Sequence, residues 1–172
     1  MNMIVAFCKN RGIGYKNNLP WHLKNELKYF KRKTTKGNNN VVIMGKNTWE
    51  SLPNKPLSNR KNIILSKSLD NNILKNYDNT YAVKNFHSLN VEINNLVDNH
   101  KLWLIGGKSI YDYYIQHPKL HKIYVTHINN DFLYDVQFPK IPNNFILTKL
   151  SKSMNENNIE YKYAIYSNNA FI

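Results

Sequence analysis

The stretch LPWHLKNELKYF (19–30) reads as an amphipathic helix with one residue of the wrong type for its position. At helical spacing one face runs Leu23, Glu26, Leu27, Phe30, which sets a carboxylate inside an apolar stripe. An ionisable group on a buried face costs several kcal/mol unless it is hydrogen-bonded, paired or neutralised. Its functional use is a carboxyl of raised pKa in an apolar pocket, able to grip a cationic or amidine-like ligand edge and to support proton transfer. Two structural uses compete with that reading: satisfying a partner inside the core, or lying at the edge of a rotated stripe.

A second set of residues suits anions. Gly12, Gly14, Gly45, Gly106 and Gly107 fall at the ends of apolar runs or in the loop behind the first run. Gly106-Gly107 stands between a predicted strand and a predicted helix, where absent side chains let backbone N–H groups and the positive helix end meet a phosphate. The same pair also serves a strand-to-helix turn that needs only steep backbone angles, and no G-x-G-x-x-G accompanies it. Lys46 and Thr48 in GKNTW (45–49), and Ser66, Lys67 and Ser68 in LSKS (65–68), follow two further strand ends. Three strand ends bearing small, hydroxyl and basic residues suit a phosphate-rich cofactor. His117 and His121 have a metal-like spacing, but Pro118 breaks the helix and no third ligand accompanies them, so no metal is expected.

Short β-forming runs must place these residues. MIVAFC (3–8), NVVIMG (40–45), RKNIILS (60–66) and KLWLIGG (101–107) read as strands, alternating in the later part with helical patterns at 89–99 and 108–116. That alternation predicts an α/β fold with a parallel sheet and right-handed crossovers. Beyond Pro118, KIYVTHI (122–128) and NIEYKYAIYS (158–167) read as strands with no helix between them, so an antiparallel addition is expected at one edge. No repeat or composition break marks a linker, and residues 1–172 are expected to form one domain.

The balance of 24 basic against 11 acidic side chains, a formal +13, raises nucleic-acid binding as an alternative. The lysines are spread along the chain without a zinc-finger, KH or RNP-type motif, which argues against a nucleic-acid partner. A basic surface also attracts anionic small molecules. No apolar run approaches the ~20 residues of a membrane span, and the first residues lack the features of a secretory signal. Cys8 is the single cysteine, so no internal disulfide can form. A cytoplasmic protein without membrane association is expected.

Taken together, IVAFCKNRGIGYKNNLPWHLKNELKYF (4–30), VVIMGKNTWESLPNKPLSNRKNIILS (41–66), LWLIGGKSIYDYY (102–114), KIYVTHI (122–128) and DVQFP (135–139) resemble dihydrofolate reductase in order and separation. The closing IEYKYAIYS is similar to that family's last strand. The resemblance implies one mixed, mainly parallel sheet of about eight strands with an antiparallel C-terminal edge and flanking helices. It also implies reduction of 7,8-dihydrofolate to tetrahydrofolate with hydride from NADPH, sensitivity to antifolates such as methotrexate, and a monomer. The rival from another class is a basic nucleic-acid-binding module on an inactive reductase fold.

By that resemblance Glu26 holds the 2-amino group and adjacent ring nitrogen of the pterin with Thr126 as partner, and Trp21 helps to order a water for protonation. Leu27, Phe30, Leu52 and Leu57 enclose the pterin and benzoyl groups, joined by Val5, Asn54, Ile105 and Tyr111. Arg60 matches the arginine that holds the α-carboxylate of the glutamate tail, although Asn59 stands where glycine is expected. Ala6, Ile13, Gly14 and Asn18 match the nicotinamide end of the cofactor site. Gly45, Lys46, Asn47 and Thr48, with Gly106, Gly107, Lys108, Ser109, Ile110 and Tyr111, match the pyrophosphate region. Leu65 and Ser68 flank Ser66 and Lys67, which together with Lys46 meet the adenosine 2′-phosphate and favour NADPH over NADH. A cis peptide is implied at Gly106-Gly107, a mobile covering loop at residues 12–18, and for Asp135 a role in supporting the loop near the active site.

Overall fold

The computed structural model describes residues 1–171. The apolar runs become the parallel half of the sheet: β1 (Asn2–Phe7), β3 (Asn40–Gly45), β4 (Lys61–Leu65) and β6 (Lys101–Gly106), with β5 (Thr80–Val83) beyond them. Their near-continuous hydrophobicity has a cause, because both faces of these strands are covered. Met3, Val5, Ile43, Ile63, Leu102 and Leu104 face a core completed by helices α4 (Phe86–Leu96) and α5 (Lys108–Tyr114). Ile4, Val42, Met44, Ile64 and Trp103 face the other side, under Tyr29 of α1 (Lys24–Thr35), Trp49 of α2 (Lys46–Ser51) and Leu74 of α3 (Asn71–Leu74).

Along the sheet the order is β5, β4, β3, β6, β1, then β7 (Lys122–Ile128) and β11 (Ile159–Asn168). All pairs from β5 to β7 are parallel, and β11 runs antiparallel to β7. Two further strands, β9 (Phe145–Leu150) and β10 (Met154–Glu156), lie end to end along the outer edge of β11. The sheet is therefore eight strands wide and mostly parallel with an antiparallel edge, as expected. A separate ribbon pairs β2 (Gly12–Gly14) with β8 (Val136–Gln137), so the first part of the expected loop is a short strand.

Local signals set several ends. Asn85 caps α4, its side chain accepting from the Ser88 N–H at 2.8 Å, which starts that helix three residues before the expected range. The cap of α1 comes from far away in the chain. Leu23 offers no side-chain cap, and the Glu156 carboxylate of β10 accepts from the N–H groups of Lys24 (2.7 Å) and Asn25 (3.0 Å). Two orphan donors are thereby satisfied at the positive end of the helix dipole.

Candidate active site

A cleft of about 870 Å³ opens at the carboxyl ends of the central strands, bounded by α1 on one side and by the loop from residue 13 on another. At its α1 wall, Leu23, Glu26 and Tyr29 turn inward, while Leu27 is 45% exposed and opens with Phe30 onto the cleft. Of these inward positions Glu26 is the one that also lines the cleft, and only 6% of it is exposed. Burial pushes its carboxyl up to about 7, partly offset by the Thr126 hydroxyl, which donates to Glu26 Oε1 at 3.2 Å. Thr126 stands on β7 opposite Ala6 of β1. Tyr111 lies below; its buried hydroxyl donates to the Ile4 carbonyl at 2.9 Å, and burial, with the Glu26 carboxyl nearby, keeps the phenol protonated.

Arg60 is a second ionisable group held out of water, 7% exposed. Burial lowers its pKa to about 10, which leaves it charged at neutral pH. No carboxylate lies within salt-bridge distance of it among the described residues. Its Nε donates to the Ser58 carbonyl at 3.0 Å, and its guanidinium carbon lies 5.9 Å from the centre of the Phe30 ring. Asn59 takes a left-handed φ of 60°, a conformation glycine adopts freely and asparagine next most readily, so the turn into Arg60 survives the replacement. Asn62 fastens this turn, bonding the Leu57 N–H and the carbonyls of Leu57 and Arg60.

The glycines gather at the other end of the cleft. β6, β3 and β4 are neighbours, so Gly106-Gly107, Gly45 to Thr48 and Leu65 to Ser68 line one wall together. The Gly106-Gly107 bond is cis and Gly106 has a φ of 111°. A Cβ on Gly106 would press on the Tyr111 ring at 3.0–3.1 Å, and one on Gly107 would lie 3.3 Å from Thr48 Oγ1. This close backbone approach leaves a cradle at the start of α5 that fits a phosphate-bearing ligand. Ser66 Oγ accepts from the N–H groups of Ser68 (3.2 Å) and Leu69 (3.1 Å), leaving its hydroxyl proton to donate elsewhere. Lys46 bonds Ser68 Oγ at 2.9 Å and lies 3.6 Å from Glu50, and Lys108 pairs with Asp112 at 2.7 Å. Among the described residues of this wall, Lys67 is the lysine without an ion pair.

Residues 12–18 form a covering ribbon. Tyr15 and Asn18 exchange both backbone hydrogen bonds across Lys16 and Asn17, whose φ values of 48° and 63° have the sign a type I′ turn needs. The ribbon is held from residues 134–137: Asp135 Oδ2 accepts from the Lys16 N–H at 2.8 Å and its own N–H donates to the Gly14 carbonyl. Gly12 lies against the Tyr134 ring, where a Cβ would come within 2.6 Å.

The cleft thus brings together Val5, Ala6, Ile13, Gly14, Asn18, Glu26, Leu27, Phe30, Leu52, Ile105 and Tyr111, and along its basic wall Asn47, Leu65, Ser68, Lys108 and Ser109 besides those named. Other expected site residues sit outside its lining, the buried Arg60 and Thr126 among them. Leu57 packs half-buried on the core beside Leu52, Asn54 is exposed in the loop after α2, and Ile110 is fully buried on the inner side of α5. Trp21 is buried with Cys8, Leu23 and Ile128, and its indole N–H has no hydrogen-bond partner among the described residues. His117 accepts the Lys119 N–H at Nδ1, and His121 lies against Phe171. Ile4, Leu19, Ser51, Pro53 and Val136 also line the cleft and were not anticipated, whereas Asn17 lines it from within the expected covering loop. Ser51 and Pro53 flank Leu52, which was the available signal; Ile4 and Leu19 offered none beyond apolar character.

Comparison with known proteins agrees with this geometry. The sequence profile of the dihydrofolate reductase family matches residues 1–168. The dihydrofolate reductase of Gallus gallus is 37% identical over 96% of this chain and 95% of its own. That of Aedes albopictus is 36% identical with the same coverage, and that of Mus musculus is 36% identical over 96% of both. With a buried carboxyl at one end of the cleft, a glycine-lined cradle at the other and relatives matching from end to end, the chain belongs to the dihydrofolate reductase family.

Proposed function

We propose that this protein reduces 7,8-dihydrofolate to 5,6,7,8-tetrahydrofolate, consuming NADPH and one proton. The observation that carries the reading is the Glu26 carboxyl, buried at the cleft wall, raised to about 7 and held by Thr126. A carboxyl with two oxygens side by side matches the 2-amino group and adjacent ring nitrogen of a pterin, and the Thr126 hydroxyl, donating to Oε1, holds the carboxyl's orientation. Leu27, Phe30 and Leu52 supply apolar contact for the flat rings, and the buried, acid-free Arg60 suits the tail carboxylate. NADPH, when bound, supplies the hydride. The basic wall suits its phosphates, with Lys67 and the free Ser66 proton suited to the 2′-phosphate and the cradle at Gly45 and Gly106-Gly107 to the pyrophosphate. The unpartnered Trp21 indole N–H supports a role in ordering a water that delivers the proton to the ring nitrogen beside the hydride acceptor.

The test is the fall in NADPH absorbance when the purified protein meets dihydrofolate, with methotrexate as the control. A methotrexate-sensitive decrease is expected. No decrease, with NADPH still bound by fluorescence, would retain the cofactor site and reject the substrate.

A further inference from the structure

We infer that Thr34 is a positioning residue for substrate, its hydroxyl aiming the Arg60 guanidinium at the ligand's tail carboxylate. This rests on the reading of Arg60 as the tail anchor. Thr34 is the penultimate residue of α1 and is fully buried, although it stands in the polar run KRKTT.

The donor count gives the hydroxyl a direction. A threonine has one O–H proton, and Thr34 Oγ1 lies 2.9 Å from the Phe30 carbonyl, an acceptor that can receive only a donor. Its oxygen is left to accept, and Arg60 Nη1 lies 2.7 Å from it. That distance is in the range of hydrogen bonds assisted by charge. The Ser58 carbonyl holds Nε on the same guanidinium. Two anchors on two different nitrogens fix the plane of the fork, so it cannot turn about either bond alone. One Nη1 proton and both Nη2 protons have no partner among the described residues. Nη1 and Nη2 therefore each present a donor, the parallel pair that a carboxylate accepts end-on.

Thr34 also links this cation to the cleft wall, because the carbonyl it bonds belongs to Phe30, whose ring lies under the guanidinium. Without the hydroxyl, the guanidinium keeps only its Nε anchor, and the ligand must order the fork as it binds. A threonine acting only as a back-bonded residue near a helix end would change stability without regard to the ligand's tail.

Dissociation constants measured by quenching of tryptophan fluorescence separate these roles, with folate as the tailed probe and 2,4-diaminopteridine as the tailless one. Thr34→Val keeps the shape and removes the acceptor; it is expected to weaken folate binding about tenfold and to leave diaminopteridine within about twofold. Thr34→Ser keeps the acceptor and is expected to restore folate affinity to within about threefold. In turnover, Thr34→Val is expected to raise KM for dihydrofolate while kcat stays. Equal losses for both probes, or no loss for folate, would overturn the inference. Arg60→Leu tests the underlying reading separately: if it too spares folate, the anchor lies elsewhere, whereas if it weakens folate and Thr34→Val does not, only the role of Thr34 fails. In the Arg60→Leu background, Thr34→Val is expected to change folate affinity no further.

Discussion

Glu26 makes folding stability depend on pH in a direction opposite to that of a salt-bridged carboxylate. Its ordinary pKa is 4.5 and burial raises it to about 7 in the folded protein. Between those values the folded state keeps a proton that the unfolded chain has released. The associated stability is fully present below pH 4.5 and is lost as pH rises through 7, by about 3 kcal/mol at most. Glu26→Gln, which stays neutral, is expected to remove this slope, so urea unfolding at pH 5 and pH 8 should give nearly equal midpoints in the variant and a lower midpoint at pH 8 in the parent. An equal decline in both would place the titrating group elsewhere. At the opposite end of the cleft, Lys67 stands without an ion pair among the described residues while Lys46 and Lys108 have acidic neighbours. Lys67→Ala is therefore expected to erode the NADPH-over-NADH ratio of kcat/KM by about tenfold, the scale of one charge-assisted contact. An unchanged ratio would move the 2′-phosphate contact to other side chains.

Helix α1 carries Glu26, Leu27, Phe30 and Thr34, yet its N-terminus depends on Glu156. Glu156→Ala is expected to lower the unfolding free energy by about 1 kcal/mol, the usual scale of a lost cap, with the urea m-value unchanged. A change below about 0.3 kcal/mol would mean that water replaces the carboxylate without loss. This cap marks the boundary of what local pattern reveals. Strands β1, β3, β4 and β6 were readable because burial on both faces leaves continuous apolar runs, and Glu26 stood out as the wrong type in its helix. Strand β5 left no such run, and the inward face of α1 runs through Leu23, Glu26 and Tyr29 while Leu27, expected in the apolar stripe, turns outward. Strand β9 left no such trace, since Ile146 to Leu150 are exposed along the edge. Helix α2 is too short to show a period and buries only Trp49. The Thr34–Arg60 and Glu156–α1 contacts join residues 26 and more than 130 positions apart, and no spacing rule spans such distances.

Across the whole molecule, a formal +13 meets few internal counter-charges. The ion pairs among the described residues are Lys9–Asp131, Lys46–Glu50 and Lys108–Asp112, all at the surface. Pairs of this kind contribute little to stability, so most of the positive field is left to act on approaching ligands. The association rate of NADPH, measured by stopped-flow fluorescence, is expected to fall several-fold as salt rises from about 0.01 M to 0.15 M and the Debye length shrinks from about 30 Å to 8 Å. A rate insensitive to salt would show that the charges around the cleft cancel locally. The distant cap on α1 has a further consequence, for the order in which the protein is made. The glycine-lined cradle is drawn from residues 45 to 109, whereas the helix that carries Glu26 receives its cap from β10 and its neighbouring ring, Tyr163, from β11. On the ribosome, the glycine-lined end of the cleft therefore has its whole sequence in hand well before the Glu26 end, which waits for the last strands to emerge.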